Sequence, residues 1–485
     1  MSAQAPVFLL AETGFIIRNL LLGYFASEVI QKHPLIVAVP IPDDPTLKSV
    51  AKEIGFDLVP YLKASSFGGL DPRSNWERFF SWDNWMYGIR GAMRQTQSYK
   101  IQTRLFEGHA SWKKKVLRAI PYWVGKRVVK PLHLSGKLED FYLHKYIGQL
   151  TITQQWKDLF MKVRPVVLFS TMLSHGTRFR HNNDLPAVVA AHQLGIPVVT
   201  LIQSWDNLSS KVSVLPPWLR RYYVWSATMK NELLQYHPRI RPSQVEIVGS
   251  PQYDFHRDPD ILMAREMYMR SKGLDPDRPY ILIGTGTPKW MPNEIDKVLH
   301  LTYRINAKWP QMQVMIRLHP KDYLSRWEDH VSLFPEGVVI VETSPPIHMD
   351  KGGFVPPQDF YQEQVNAIYH ASVVLNSSSS LTVDAAILDR PIICIAYDLE
   401  KDPLFPEGRA YAYSKSEHYS KLVATGGVWV ATSEEECLRA IETYWRHPEL
   451  HRQERRFLVD VVTDDIHQKS GIRLAKALFR DIQLQ

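Results

Sequence analysis

The chain has 485 residues, of which 45% are hydrophobic and 22% are charged. This length suffices for two domains with separate cores, and the apolar content excludes a mainly disordered chain. The 58 Lys and Arg residues against 50 Asp and Glu residues give a formal charge of +8. Two cysteines, Cys394 and Cys437, are too few for a disulfide framework or a four-cysteine zinc site, so a reducing compartment is expected.

The sequence predicts no secretion signal and no membrane-spanning helix. Glu12 interrupts the first apolar stretch, which also lacks a basic flank and a small-residue cleavage site. No uncharged apolar run reaches the 18 residues that a spanning helix needs. We therefore expect a cytoplasmic protein, either free or peripheral on the inner face of the membrane.

The positive charge is concentrated in one segment. Residues 85–137 contain twelve basic side chains and one acidic side chain, a net charge of +11, so the rest of the chain carries −3. Apolar residues from Trp112 to Val124 recur near helical spacing among these cations, which is typical of an interfacial helix on anionic lipid. Packing of the same residues on the first domain, with the cations in water, is the alternative. Nucleic acid is not expected, because no recognition motif accompanies the charge.

The sequence of the first half of the chain predicts β-strands separated by helices. The interval 44–162 is too long for a plain loop and is expected to carry its own helices. Helices are predicted at Ile16–Gln31, Leu185–Leu194 and Thr228–Tyr236. Strands are predicted at Val7–Leu10, Leu35–Pro40, Val166–Ser170, Val198–Ile202, Tyr222–Trp225 and Val245–Val248.

The second half continues the alternation with apolar runs rich in β-branched residues. Such continuous runs are typical of parallel strands covered on both faces. Strands are predicted at Tyr280–Ile283, Val314–Arg317, Val338–Val341, Val373–Asn376, Ile392–Ile395 and Val428–Ala431.

The predicted fold class is α/β, with two Rossmann-like, doubly wound domains facing a cleft. The domains are predicted at 1–255, with a basic helical insertion at about 85–137, and at 256–485. The last helix is a candidate to cross back to the first domain, and the hinge is expected near Tyr253–Pro276.

In open α/β sheets ligands bind at the carboxyl ends of the strands, so polar residues just after the strands are the candidates. Arg317, His319 and Lys321 follow one such strand and suit a diphosphate group. A solvated strand end with no ligand is the alternative.

A run of small hydroxyl residues follows the Val373–Asn376 strand and precedes a predicted helix. Free N–H groups at a helix start can bind an anion, and Asp384, one turn later, can accept a hydrogen bond from a ribose or sugar hydroxyl. An ordinary serine-capped helix is the alternative. The residues of this run are Ser377, Ser378, Ser379, Ser380 and Thr382.

The turn Gly284-Thr285-Gly286-Thr287 lacks the third glycine of a dinucleotide fingerprint, which argues against a nicotinamide or flavin cofactor. It either lets a ligand approach the backbone or is a purely structural turn. The sequence also lacks zinc-protease, P-loop and nucleophile-elbow motifs, so no metal site is expected.

In the first half, Trp205, Asp206, Asn207 and Lys211 follow a predicted buried strand. They offer a stacking face, a base and hydrogen-bonding groups to a polyhydroxylated ligand. Asp206 and Asn207 capping backbone groups in a turn is the alternative. Glu12, which follows the first strand, is a similar candidate that would face the cleft.

These motifs carry a family resemblance. The chain resembles GT-B-type glycosyltransferases and is similar to CDP-glycerol glycerophosphotransferase-like and UDP-N-acetylglucosamine 2-epimerase-like bacterial proteins. The resemblance covers roughly 163–440, and residues 7–40 only in pattern. Its elements are Ser204–Lys211, Val248–Asp254, Arg317–Pro320, Asn376–Ala386, Asp389–Pro391, Glu417–Tyr419 and Gly426–Gly427.

The resemblance implies a donor-binding second domain and an acceptor-binding first domain, with no metal and no cofactor besides the nucleotide-sugar co-substrate. The catalytic base would be Glu12 or Asp206, and Trp205, Asn207 and Lys211 would bind the acceptor. The donor-binding residues would be Arg317, His319, Lys321, Ser377, Ser378, Ser379, Ser380, Thr382, Asp384, Gly284 and Thr285.

The leading hypothesis is transfer of a sugar to a hydroxyl of a glycan or lipid-linked acceptor, in the synthesis of cell-surface polysaccharide or glycolipid. Transfer of a polyol phosphate such as glycerophosphate, or epimerisation of a nucleotide sugar, is the alternative on the same fold. A non-catalytic glycan-binding protein is a third hypothesis. The sequence leaves the donor, the acceptor and the stereochemical outcome open.

Overall fold

The structure is a computed structural model that describes residues 4–62, 135–173, 184–211, 214–288, 290–341, 359–400 and 405–484, with the isolated positions 116, 120, 124, 127, 128 and 402. Most of the basic segment 85–137 therefore lies outside the described residues. None of the helices in the described ranges is long and apolar enough to cross a membrane.

The chain divides into two compact units. The first comprises Met1–Gln252 and Thr463–Gln485, and the second comprises Tyr253–His348 and Pro356–Val462. The first unit is thus discontinuous in sequence. The helix Ser470–Gln483 packs against the helix Tyr24–Val29 of the same unit. Asp481 of that last helix accepts hydrogen bonds from Arg221 and Tyr223.

The sheet of the first unit has seven parallel strands in the order β3-β2-β1-β4-β5-β6-β7. The central strands β1, β4 and β5 are fully buried, as their continuous apolar runs predict. The strands are β1 Val7–Leu10, β2 Leu35–Val39, β3 Asp57–Pro60, β4 Val167–Ser170, β5 Val198–Leu201, β6 Arg221–Val224 and β7 Val245–Ile247.

Helical segments connect consecutive strands of this sheet, as parallel strands require. The single helix predicted over Ile16–Gln31 is divided into the short α-helix Gly14–Ile16, the π-helical turn Ile17–Leu21 and, after Gly23, the α-helix Tyr24–Val29. The α-helices of this unit are Gly14–Ile16, Tyr24–Val29, Pro45–Ile54, Ser135–Asp140, Thr151–Val163, Asp184–Gln193, Asn207–Ser210, Ala227–Tyr236 and Ser470–Gln483. The remaining helical turns are Phe141–Tyr146, Ile147–Gln149, Pro242–Gln244 and Pro251–Tyr253.

The sheet of the second unit has six parallel strands in the order β10-β9-β8-β11-β12-β13. The strands are β8 Tyr280–Gly284, β9 Gln313–Arg317, β10 Val338–Val341, β11 Val373–Asn376, β12 Ile392–Ile395 and β13 Trp429–Ala431. The α-helices are Arg265–Ser271, Glu294–Lys308, Glu328–Val331, Phe360–Tyr369, Leu381–Ile387, Arg409–Ser414, Glu417–Val423, Glu434–Arg446 and Arg452–Val462, with short 3₁₀ turns at Pro259–Ile261 and Leu324–Arg326.

The core of the second unit lies between its sheet and two amphipathic helices. In Glu294–Lys308 the buried residues Ile295, Val298, Leu301 and Ile305 recur at helical spacing. They pack with residues of Glu434–Arg446 and with the inward side chains of the strands in one hydrophobic cluster. This packing fixes the N-terminus of Glu294–Lys308 at the carboxyl edge of the sheet.

The predicted fold class is confirmed, because two parallel sheets are flanked by helices in Rossmann-like order. Each sheet has a point where the strand order reverses, between β1 and β4 in the first unit and between β8 and β11 in the second. Such a switch point opens a crevice at the carboxyl ends of the strands, where open α/β proteins bind ligands. The cleft predicted between the two domains stays a prediction.

Candidate functional site

At the switch point of the second unit, the turns that follow β8 and β9 are joined by hydrogen bonds. The Thr285 N–H donates to the carbonyl of Arg317 over 3.0 Å, and the N–H of His319 donates to Thr285 Oγ1 over 2.8 Å. Thr285 is buried, whereas Thr287 and His319 are half-buried at the edge. Thr285 therefore shapes the turn, and Thr287 and His319 remain accessible.

His319 is an uncharged hydrogen-bond donor in this arrangement. Burial, together with the positive charges of Lys321 and Arg317, lowers the pKa of His319 to about 4, although the charge of Asp322 raises it. Its Nδ1 accepts the N–H of Lys321 over 3.0 Å, so the proton of the neutral ring lies on Nε2. The predicted role of His319 toward a phosphate stays a prediction, and a neutral ring would fill it by donating a hydrogen bond, with the positive charge coming from Arg317 and Lys321.

Arg317 and Lys321 lie on either side of this imidazole. Arg317 is the last residue of β9 and is half-buried, and Lys321 is exposed two residues beyond His319. The two cations that the sequence predicts to bind phosphate, Arg317 and Lys321, are therefore both located at the carboxyl end of β9.

The serine run forms the turn after β11, next to β8. Ser377 is buried, Ser378 and Ser379 are half-buried and Ser380 is exposed. Asn376 Oδ1 accepts the N–H of Ser379 over 2.9 Å, and Ser378 has a left-handed backbone with φ 54°. The turn thus holds two half-buried serines near the switch point; Ser378 Oγ is 3.5 Å from Cys394 Sγ, and Ser379 Oγ accepts the N–H of Leu381 over 3.2 Å.

Two of the predicted donor-binding residues serve the packing of this turn. Thr382 is buried and bonds to Asn376 and to the hydroxyl of Tyr419 over 2.8 Å. Gly284 ends β8 beneath Leu381, and a Cβ atom at this position would overlap the Leu381 side chain. Thr382 and Gly284 therefore hold the β8 and β11 turns together.

Asp384 lies in the helix Leu381–Ile387, one turn after Ser380. Its side chain is buried, and Oδ1 accepts a hydrogen bond of 2.7 Å from Nε2 of His256. The sequence predicts a ribose contact for Asp384 but gives no sign of this pairing.

Sequence reasoning missed two buried charged residues at the same edge, both on Glu294–Lys308. Glu294, 3% exposed, accepts the N–H of Gly286 over 2.6 Å and the hydroxyl of Ser377 over 3.3 Å. Burial raises the pKa of Glu294, while the positive charge of Lys297 lowers it. Glu294 thus ties the β8 turn to the β11 turn.

Lys297, also 3% exposed, lies one turn further along this helix. Its ammonium group is 3.3 Å from the carbonyl of Tyr397 and 3.5 Å from Oδ1 of Asp398. Carboxylates at the start of a helix after a glycine turn were the available signal for Glu294. A lysine on the inward face of an amphipathic helix was the signal for Lys297.

In the first unit, a buried carboxylate network lies at the ends of β3 and β4. Asp184 accepts hydrogen bonds from the hydroxyls of Tyr61, over 2.5 Å, and Ser170, over 2.7 Å. The N–H groups of Thr171 and Met172 each donate to it over 2.9 Å. Burial raises the pKa of Asp184 although these hydrogen bonds lower it. Sequence reasoning missed this network as well.

Glu12 is buried just after β1. Burial and the charge of Asp184 are the two largest causes that raise the pKa of Tyr61, and the charge of Glu12 raises it further. Asp206 follows β5 and accepts hydrogen bonds from the hydroxyls of Ser204 and Ser210 over 2.5 and 2.7 Å. Because β1, β4 and β5 are neighbours, Glu12 and Asp206 lie at the same edge of the first sheet.

The predicted acceptor-binding residues share the turn of Asp206. Trp205 and Asn207 are buried within the first unit, and Lys211 is half-buried. Asp206 and its two serines therefore stabilise this turn, and of the three predicted acceptor residues Lys211 is the most accessible. Within the described ranges, no three His, Cys, Asp or Glu side chains are grouped to hold a metal ion.

No protein-family model matches the chain, and no curated protein matches it in sequence. Solved structures do match over nearly the full length. UDP-GlcNAc 2-epimerase from Neisseria meningitidis bound to UDP-GlcNAc is 12% identical, with a TM-score of 0.51, and the match covers 98% of this chain and 100% of that chain. S. aureus MnaA in a co-structure with UDP is 10% identical, with a TM-score of 0.53 and coverage of 99% and 98%.

A glycosyltransferase from Rickettsia africae is 8% identical, with a TM-score of 0.51 and coverage of 99% of each chain. At these identities the likeness concerns the fold. The chain shares the two-unit α/β fold of UDP-GlcNAc 2-epimerases and GT-B-type glycosyltransferases, as the sequence motifs predict.

Proposed function

We propose that the chain is a nucleotide-sugar-dependent glycosyltransferase whose second unit binds the donor. The proposal rests on the group at the β8–β11 switch point, where Nε2 of the neutral His319 imidazole is 3.4 Å from Thr287 Oγ1 and the half-buried residues Ser378 and Ser379 form the turn after the strand next to β8. Two structures with this fold, from N. meningitidis and S. aureus, hold UDP-GlcNAc and UDP respectively, which supports a nucleotide sugar as the ligand class.

The chemistry of sugar transfer requires stabilisation of the departing nucleotide diphosphate. Negative charge develops on the phosphate as the bond to the anomeric carbon breaks, and donors fixed beforehand stabilise it most effectively. His319 Nε2–H and the serine hydroxyls would donate to the phosphate oxygens, and Arg317 and Lys321 would balance their charge. A metal ion is not required by this arrangement.

The acceptor hydroxyl must lose a proton during transfer, and we assign this step to Glu12. Both oxygens of Asp206 already accept serine hydroxyls, which makes that carboxylate a poor proton acceptor. Lys211 is the best placed of the predicted acceptor-binding residues. The acceptor itself would be a glycan or lipid-linked hydroxyl, reached at an anionic membrane surface through the basic segment 85–137.

The donor site is tested by ligand binding to the purified full-length chain. UDP, UDP-GlcNAc, CDP and GDP are screened by thermal shift, and the best ligand is titrated calorimetrically. His319→Gln should weaken nucleotide binding by about tenfold, the value of one hydrogen bond to a charged group. The matched control is His447→Gln, because the side chain of His447 is 64% exposed at the end of Glu434–Arg446 and its Nδ1 lies 3.6 Å from Glu449 Oε1. Equal affinity of both variants would contradict the assignment of His319.

Product analysis separates transfer from the other hypotheses. A glycosyltransferase releases nucleotide diphosphate only with an acceptor, and Glu12→Gln should slow this release by a factor of about 10² to 10⁴. A change in sugar configuration without acceptor would identify an epimerase, and release of CMP from CDP-glycerol a polyol-phosphate transferase. Nucleotide binding without turnover would leave the non-catalytic glycan-binding hypothesis.

A further inference from the structure

A buried histidine–aspartate pair lies next to the proposed donor site and is not used by the mechanism above. His256 belongs to the first residues of the second unit, and Asp384 belongs to the helix after the serine turn. The two side chains are 0% and 4% exposed, and His256 Nε2 is 2.7 Å from Asp384 Oδ1. Because a carboxylate oxygen only accepts, Nε2 donates and carries the proton.

The pair leaves one acceptor atom unused on each residue. No residue that the structure describes donates to Oδ2 of Asp384. Nδ1 of His256 is buried and has no hydrogen-bond partner among the same residues. A buried nitrogen without a partner is rare in folded proteins, and a bound water would account for Nδ1 of His256.

A backbone hydrogen bond links Asp384 to the serine turn at the switch point. Its N–H donates to the carbonyl of Ser380, so the carboxylate is one helical turn from the serine hydroxyls. A carboxylate this well buried is held in one position only when a donor fixes it, since an unpaired buried charge is costly. Among the described residues His256 is that donor.

We propose that His256 is a positioning residue that holds Asp384 with Oδ2 directed to a hydroxyl of the nucleotide ribose. This inference rests on the proposed function and assigns the ribose contact to two residues, one that accepts the hydroxyl and one that orients the acceptor. His256 itself, with no exposed side-chain surface, does not touch the ligand.

The experiment compares nucleotides that differ by one hydroxyl. UDP, CDP, GDP and ADP are each titrated against their 2′-deoxy and 3′-deoxy forms, with inorganic pyrophosphate as a probe that has no ribose. The unaltered protein should bind one nucleotide about tenfold more tightly than one of its deoxy forms, the value of a hydrogen bond to a charged group. His256→Phe should reduce this ratio to below about threefold while pyrophosphate affinity stays unchanged.

Two further variants exclude a merely structural effect. His256→Gln keeps an N–H donor and should restore part of the ratio. If His256→Phe fails to fold, the ratio measured for His256→Gln is compared directly with that of the unaltered protein. His370→Phe is the matched control, because His370 is a partly buried histidine of the same unit whose Nε2 bonds to the carbonyl of Met263 instead of to Asp384.

The outcomes separate this inference from the proposed function. A ratio that survives in His256→Phe, or that falls equally in His370→Phe, overturns the positioning role and leaves the donor site intact. A parallel loss of pyrophosphate and nucleotide binding also overturns it, because His256 would then support the whole turn. Absence of nucleotide binding in the unaltered protein overturns both proposals.

Discussion

The protonation of His319 follows from its surroundings rather than from its type. A histidine beside phosphate oxygens is commonly expected to be charged, but burial and two neighbouring cations keep this ring neutral. The backbone N–H of Lys321 then selects the tautomer, and the remaining N–H, on Nε2, donates to Thr287 Oγ1 over 3.4 Å, a long hydrogen bond that a ligand oxygen could replace. A single backbone hydrogen bond thus determines which atom of the imidazole faces the proposed ligand.

This has a consequence for stability that can be measured. The folded-state pKa of His319, about 4, lies below the unfolded value of 6.5. As the pH falls from about 6.5 to 4, the unfolded chain binds a proton that the folded chain excludes, so stability is lost in this window. The loss approaches about 3 kcal/mol if no other group compensates. Above pH 7 the group contributes no pH dependence.

Urea unfolding of the full chain between pH 4 and 8 tests this expectation for the unaltered protein and His319→Gln. The variant lacks the titrating ring, so its free energy of unfolding should fall less steeply below pH 6.5. His447→Gln serves again as the control and should retain the original slope. Parallel slopes for the unaltered protein and His319→Gln would show that the imidazole is protonated in the folded state.

At the scale of elements, the close approach of β8 to the helix Leu381–Ile387 builds the switch point. Gly284 permits it, because the space that a side chain would need is filled by Leu381. The backbone at Gly284 is extended, so the requirement is steric and not conformational.

Gly284→Ala should therefore destabilise the second unit by about 1–3 kcal/mol through overpacking, and should displace the serine turn. Shortening the opposing side chain relieves the overlap, so Gly284→Ala with Leu381→Ala should recover part of the nucleotide affinity that Gly284→Ala loses. Thermal unfolding and nucleotide titration of the two single variants and the double variant measure this coupling. Strictly additive effects would mean that the two positions do not meet.

The sequence predicts the elements better than the contacts between them. Fully buried strands such as β1 and β11 are visible as continuous apolar runs. The edge strand β3 was missed because it is not fully buried and begins and ends with Asp57 and Pro60, which are weak strand signals. The helix predicted over Ile16–Gln31 is divided in the structure, because the π-helical turn Ile17–Leu21 and the bend at Leu22 and Gly23 interrupt it without breaking its apolar pattern.

In the candidate site, residues next to a strand end, and Asp384 one turn into the following helix, were identified from the sequence, whereas the partner that contacts Asp384 through space was not. Arg317 and His319 adjoin β9 and could be selected by position alone. His256 and Asp384, which bond to each other, are 128 residues apart in sequence. Ser170 and Asp184 meet because the fold brings the end of β4 beside the start of the helix Asp184–Gln193. Such pairs leave no local pattern, since each partner read by itself is an ordinary polar residue.

At the scale of the whole molecule, the uneven charge distribution is the main feature that the site leaves unexplained. The segment 85–137 carries +11, and the remainder carries −3. We propose that this segment attracts an anionic membrane surface, where each basic residue near the surface contributes about 1 kcal/mol.

Sedimentation with liposomes tests this proposal. The chain should bind vesicles containing 30% phosphatidylserine, remain unbound to neutral vesicles, and dissociate as salt is raised. Replacing Lys113, Lys114 and Lys115 by Gln should weaken binding by roughly 100-fold, whereas replacing the control residues Lys48, Lys52 and Lys308 by Gln should not. Binding that ignores lipid charge and salt would contradict an electrostatic attachment.

The discontinuity of the first unit also affects the order in which the chain folds during synthesis. Tyr223 and Asp481, bonded in the first unit, are 258 residues apart in sequence. At about 5–20 residues per second, the ribosome needs roughly 13–50 s to make the intervening chain. During this interval the whole second unit emerges, while the face of the Tyr24–Val29 helix that will pack on Ser470–Gln483 has no partner. The first unit therefore completes its packing only after the second unit has been synthesised and Ser470–Gln483 has emerged.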